Sequence, residues 1–110
     1  MVSLPQLEEI MSDAYASTNW HVAEGREEEF MQLWRDSLTW TKDNFDDFER
    51  ARLLRDREDP KHLVSFIEWD SAEALDGWRN HPGFKERYAA LTKLCREVVG
   101  STYEEGVRVG

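Results

Sequence analysis

Few residues in this 110-residue chain are of the types that move protons, bind metals or form covalent intermediates. Histidine occurs three times, at His21, His62 and His81. The three lie far apart in sequence, and no HxH, HExxH or CxxC spacing occurs, so no metal site is expected. The run GREEEF at 25–30 holds one glycine only, too few for a phosphate-cradling loop. Cys95 is the single cysteine and has no base at a recognisable spacing. It falls in an apolar helical pattern and reads as a buried thiol. What remains is proton and hydrogen-bond chemistry. His21 is a proton acceptor in the neutral range. By the two-residue period it shares a strand face with Asn19, whose amide can hold an oxyanion through its N–H donors. Phe84 and Tyr88 are four apart and share a helix face, and the Tyr88 hydroxyl could hold a phenolic substrate. His81 precedes Pro82, where it can cap the next helix or point over a pocket mouth.

These residues need a scaffold, and the pattern supplies one. Residues 14–22, AYASTNWHV, read as a strand. One face carries Ala14, Ala16, Thr18, Trp20 and Val22, the other Tyr15, Ser17, Asn19 and His21. Neither face is charged, which predicts cover on both. A helix follows from Gly25 to about residue 40, with Glu27, Glu28 and Glu29 in its first turn and Phe30, Leu33, Trp34, Ser37 and Leu38 as its inward stripe. The polar run 41–47 reads as a connection. FERARLLR at 48–55 and HLVSFIEW at 62–69 read as strands joined by a tight polar loop, hence an antiparallel pair. Asp70 or Ser71 caps a helix carrying Ala74, Leu75 and Trp78. His81–Pro82–Gly83 breaks and restarts it. Phe84, Tyr88, Leu91, Cys95 and Val98 then recur at helical steps up to a stop at Gly100, and 101–109 reads as a final strand.

The order strand, helix, strand, strand, helix, strand is the ferredoxin-like βαββαβ arrangement, an α+β class with an antiparallel sheet and helices on one face. Its second face then needs a partner or ligand. Residues 1–13 read as an N-terminal extension and 14–110 as the domain. The net charge of -9, from 23 acidic and 14 basic side chains, argues against nucleic acid. The arginines at 50, 52, 55 and 57 are interleaved with Glu49, Asp56, Glu58 and Asp59 and make no basic face. No signal peptide or membrane-spanning run is visible, so a cytoplasmic location is expected.

Several motifs have a familiar form. They are EW at 68–69, EAL at 73–75, Trp78 and HPGF at 81–84; the GREEEF helix entry; and LLRD at 53–56 with Pro60 before the long strand. With these the chain resembles the antibiotic biosynthesis monooxygenase family of dimeric α+β barrel proteins. The resemblance implies a homodimer packed sheet against sheet, with a pocket in each protomer between sheet and helices. It also implies oxygen chemistry with no metal, flavin or heme. The substrate must then be the electron donor, as an enolate or phenolate. The protein must take a proton, stabilise an oxyanion and exclude water.

The heme-degrading relatives carry a functional Asn on the first strand, which Asn19 approximates, and a pocket Trp on the third, where Trp69 falls. They carry an axial His near the place of Tyr88, and its absence here argues against heme breakdown. The expected pocket has Asn19, His21, Tyr88 and His81 as catalytic candidates, with Trp69, Phe66 or Ile67, and Phe84 as walls. Alternation sets a conflict, because Asn19 and Trp20 cannot face the helices together. Ala16 and Val22 travel with Trp20 and look like core, whereas the resemblance favours Asn19.

The leading expectation is a cofactor-independent monooxygenase, an oxidoreductase acting with O2 on a small aromatic, polyketide or quinol-like substrate. The alternatives are a non-catalytic dimeric small-ligand-binding protein and a heme-binding or heme-degrading protein.

Overall fold

The computed structural model describes residues 14–110; the extension at 1–13 lies outside the described residues. The elements are β1 (Ala14–Val22), α1 (Glu27–Asn44), β2 (Phe48–Arg55), β3 (His62–Trp69), α2 (Ala72–Asn80), α3 (Pro82–Thr92) and β4 (Cys95–Glu104). The four strands form one antiparallel sheet in the order β2-β3-β1-β4. The helices cover one face of it. The barrel that the resemblance implied is not formed. β2 and β4 are the two edges, each paired to a single neighbour, and they do not pair with each other. A barrel closes only when every strand has two neighbours, and closed interiors wide enough for side chains take about eight strands.

Period-two alternation decides what faces the helices. Ala14, Thr18, Trp20 and Val22 of β1 and Leu63, Ser65, Ile67 and Trp69 of β3 are buried. Against them pack Phe30, Trp34, Leu38 and Thr41 of α1, Leu75 and Trp78 of α2, and Leu91 of α3. Among the described residues, no helix is long and apolar enough to cross a membrane.

Several boundaries differ from the sequence reading. α1 runs to Asn44, past the expected end near residue 40. Thr41 holds it: the hydroxyl is buried, donates to the Ser37 carbonyl at 2.9 Å and accepts from Trp78 Nε1 at 3.1 Å. The polar composition of 41–44 concealed this tertiary contact. At the other end, α3 stops at Thr92, and Cys95 to Val98 lie in β4 rather than in a helix. Cys95, Val98 and Val99 satisfy a helical spacing locally, but pairing with β1 overrides it. Gly100, expected as a helix stop, sits within β4 opposite Thr18. The final strand ends at Glu104, and Val107 and Val109 beyond it are exposed.

Candidate active-site cavity

The cavity lies on the helix side of the sheet. Its outer lobe, about 160 Å³, is walled by Thr18, Trp20, Ile67, Trp78, Phe84 and Tyr88, and opens between Arg79 at the end of α2 and residues 100–102 of β4. A smaller inner lobe of about 30 Å³ shares Trp20, Ile67, Trp78, Phe84 and Tyr88 and reaches Trp34, Leu38 and Leu91. Gly100 keeps the mouth open. A Cβ there would stand 3.0 Å from Thr18 Oγ1, tighter than ordinary packing.

Hydrogen bonds fix the walls. Trp20 Nε1 donates to Ser65 Oγ at 3.0 Å across β1 and β3, and Trp78 Nε1 donates to Thr41. With their N–H groups engaged, both indoles present ring faces. The ring centroids of Trp78 and Phe84 are 4.3 Å apart, those of Phe84 and Tyr88 5.4 Å, and those of Trp20 and Tyr88 5.6 Å. All three pairs are tilted, a favourable aromatic geometry. Trp34 Nε1 is buried without a hydrogen-bond partner among the described residues.

Tyr88 is the polar group inside this aromatic wall. It is half-buried, and its hydroxyl makes no hydrogen bond among the described residues. Burial pushes its pKa above the ordinary tyrosine value of 10.0, and the Arg79 charge pulls the other way. At neutral pH it is therefore a phenol that donates, not a phenolate that takes a proton.

The other expected site residues are placed differently. Trp20 faces the helices, so Asn19 and His21 lie on the opposite face and do not line the cavity. Phe66 goes with them, 41% exposed, while Ile67 is the β3 side chain in the wall. Trp69 is fully buried among Phe45, Phe48 and Trp78 and does not line the cavity. His81 is the N-cap of α3: its Nδ1 accepts from Gly83 N at 2.9 Å, and its ring packs on Trp40 and Phe45. Tyr88 and Phe84 are the expected residues that meet Ile67 in one cavity. Thr18, Trp20, Trp78 and Arg79 were missed. The signal for Trp20 was present in its shared period with Ala16 and Val22, which marked the core face of β1.

Asn19 and His21 instead belong to a polar cluster on the open face. His62 Nδ1 is 2.9 Å from Asp56 Oδ2, and its Nε2 is 2.8 Å from the Asn19 amide oxygen. The His21 ring stacks on His62 with centroids 4.7 Å apart, and its Nε2 is 3.6 Å from Glu97 Oε1. The hydrogen bond from His62 holds the Asp56 carboxyl below its ordinary pKa. With Nδ1–H given to Asp56, a neutral His62 accepts at Nε2 from the Asn19 amide, and a protonated one donates to its oxygen. Among the described residues, no group of three or more His, Cys, Asp or Glu side chains could hold a metal ion.

A four-stranded antiparallel sheet roofed by helices over an aromatic cavity defines an α+β open-faced domain. The model of the antibiotic biosynthesis monooxygenase family matches residues 14–90, and the chain belongs to that family. Solved structures share the fold. A conserved protein from Methanosarcina mazei Go1 superposes with a TM-score of 0.80 at 20% identity, over 91% of this chain and 99% of that one. A variant of SnoaB, a cofactor-independent oxygenase from Streptomyces nogalater, gives 0.79 at 20% identity, over 90% and 96%. Protein SO0527 from Shewanella oneidensis gives 0.76 at 14% identity, over 86% and 92%. At these identities the likeness concerns the fold alone. None of the curated proteins matches this chain in sequence.

Proposed function

We propose that the chain is a cofactor-independent monooxygenase that oxidises a small aromatic or quinol-like compound with O2 in the helix-side cavity. The observation that carries this reading is a cavity of fixed aromatic walls with one free phenolic donor, Tyr88, inside it. The volume of the outer lobe is of the order that takes a single ring, since an apolar cavity of roughly 150 Å³ binds benzene. The rest of a larger substrate extends through the mouth. Trp20, Trp78 and Phe84 hold the ring and keep water away. The substrate passes a proton to solvent at the mouth, becomes an enolate or phenolate and gives electrons to O2. A C–O bond forms in a hydroperoxide, and loss of water leaves a carbonyl, so that CH2 and O2 become C=O and H2O. Tyr88 donates a hydrogen bond to the developing oxyanion.

The test is oxygen uptake with a panel of anthrones and dihydroxynaphthalenes. Wild type is expected to turn over at least one of them, and Tyr88→Phe to lose about ten-fold in rate, roughly 1.4 kcal/mol of transition-state stabilisation. Binding without uptake across the panel would favour a non-catalytic ligand-binding protein.

The same reading extends to the open face, as a homodimer interface formed sheet against sheet. Leu54, Phe66, Val99 and Tyr103 are exposed there at 41–57%, and register places them on one side of the sheet. Leu54 and Phe66 lie on β2 and β3 and Val99 and Tyr103 on β4, on either side of β1, and exposed apolar side chains of this size suit an interaction surface. Each protomer keeps its own cavity on the far side.

A further inference from the structure

The proposed reading leaves open which aromatic compounds the cavity prefers, and one side chain at its mouth addresses that choice. We infer that Arg79 selects aromatic ligands carrying a single anionic oxygen, an ionised phenol or a carboxylate, at the end that faces the mouth. This inference rests on the helix-side cavity being the substrate site.

What sets Arg79 apart is its place on the cavity lining rather than its lack of a partner, which other surface cations share. Arg26, Arg50 and Lys61 are paired with Glu29, Glu68 and Glu24. Arg87, which lines the inner lobe, lies 3.9 Å above the Trp40 ring and donates to the Gly83 carbonyl. Arg79 makes no hydrogen bond or ion pair among the described residues. Its side chain is exposed at the mouth of the outer lobe, close enough to Tyr88 to act on its hydroxyl. In a chain of net charge -9, a cation with no acidic partner at the mouth of an apolar cavity is an arrangement that attracts an anion.

The structural alternative is that Arg79 merely complements the carbonyl end of α2, where it occupies the last turn. That role needs no position on a cavity wall. The neighbouring Trp78 is fixed by Thr41, so the backbone that carries Arg79 is held while its guanidinium remains free.

The lining also limits the charge of the ligand. Among the described residues, Arg79 is the only cation lining the outer lobe, and the other polar side chains there are the hydroxyls of Thr18, Tyr88 and Thr102. One guanidinium matches one carboxylate or phenolate, whereas a phosphate dianion would remain half-neutralised. The preference suits the proposed chemistry. A cation beside a bound phenol favours its ionised form, which is the form that can reduce O2.

The experiment is calorimetric titration at neutral pH and low salt with 2-naphthoate, its neutral isostere 2-naphthamide, and 2-naphthol. The proteins are wild type, Arg79→Gln, Arg79→Lys, and Arg57→Gln as a control for net charge. Wild type is expected to bind naphthoate about five-fold tighter than naphthamide, the scale of a partly exposed ion pair. Arg79→Gln should bind the two equally and keep the naphthamide affinity, while Arg79→Lys and Arg57→Gln retain a preference. The absorbance of bound 2-naphthol should report ionisation about one pH unit lower in wild type than in Arg79→Gln. A wild type that binds both isosteres equally, or a preference that survives in Arg79→Gln, overturns the role of Arg79 and leaves the cavity reading intact. No binding of any of the three probes to wild type removes the cavity reading, and the inference with it.

Discussion

The two faces of the sheet are built from alternate residues of the same strands, yet they hold their aromatic and polar groups in opposite ways. On the helix face, Trp20 and Trp78 give their N–H groups to buried hydroxyls and turn their rings inward. The polar atoms serve to fix apolar walls. On the open face, the His21 and His62 rings stack while their nitrogens reach for Asn19, Asp56 and Glu97. There the polar atoms bond to one another, and Leu54, Phe66, Val99 and Tyr103 stand exposed beside them. One face has its apolar surface buried and a cavity within it; the other has a network and large apolar side chains still uncovered.

The sharpest way to break this comparison is to truncate an aromatic residue on each face of β3. Trp69 is fully buried and Phe66 is 41% exposed. Trp69→Ala is expected to cost about 3–5 kcal/mol in chemical denaturation, the range for large aromatic residues in cores. Phe66→Ala, measured at a concentration low enough to keep monomers, should cost under about 1 kcal/mol. Phe66→Asp should act on assembly instead. Light scattering at micromolar concentration should give twice the chain mass for wild type and one chain mass for the variant. A clean monomer for wild type would remove the interface assigned to the open face.

A smaller effect separates the hydroxyl on one face from the amide on the other. Ser65 is fully buried and accepts the Trp20 N–H. Ser65→Ala strands that donor in the core and is expected to cost about 1–3 kcal/mol. Asn19 is half-buried on the open face, where solvent can replace its bond to His62. Asn19→Ala should cost under about 1 kcal/mol. Equal losses from the two variants would mean that the open face is as dry as the core.

The same comparison explains what the sequence revealed. β1, β2 and β3 were legible to the residue: β1 and β3 are short runs of β-branched and aromatic residues, and β2 is marked off by the polar loops on either side and by its tight connection to β3. The α2–α3 break was legible in His81–Pro82–Gly83. The strand faces were legible only as alternatives. Ala16, Trp20 and Val22 pointed one way, and the resemblance, through Asn19, pointed the other; packing against Phe30 and Tyr88 settled it for Trp20. Arg79 carried no signal, since a basic residue in a last helical turn is ordinary and its place at a mouth depends on how β4 passes α2. The fate of Thr41 and of residues 95–98 depended on tertiary contacts that local periodicity does not record.

The smallest expected effect sits where the alternation itself breaks. The register of β1 against β4 shifts between His21 and Val22, and Val22 pairs with Cys95. Cys95 is half-buried against the core, and its thiol donates to the Leu91 carbonyl at 3.5 Å. Burial pushes the thiol pKa up from 9.0 to about 11. The folded chain therefore keeps this proton to a higher pH than the unfolded chain does. Its stabilising contribution is fully present below pH 9.0 and is lost as pH rises through about 11. The thiolate is the nucleophile, so at pH 8 the folded protein should react with iodoacetamide about ten-fold or more slowly than the same chain in denaturant. The stability difference between wild type and Cys95→Ala should stay constant from pH 6 to pH 8 and shift in favour of the variant as pH approaches about 11. Taking the difference cancels the tyrosines and lysines that titrate in the same range. Equal alkylation rates in the folded and unfolded chain would place Cys95 outside the core at the bulge, and the β1–β4 edge would then belong to the open face rather than to the cavity side.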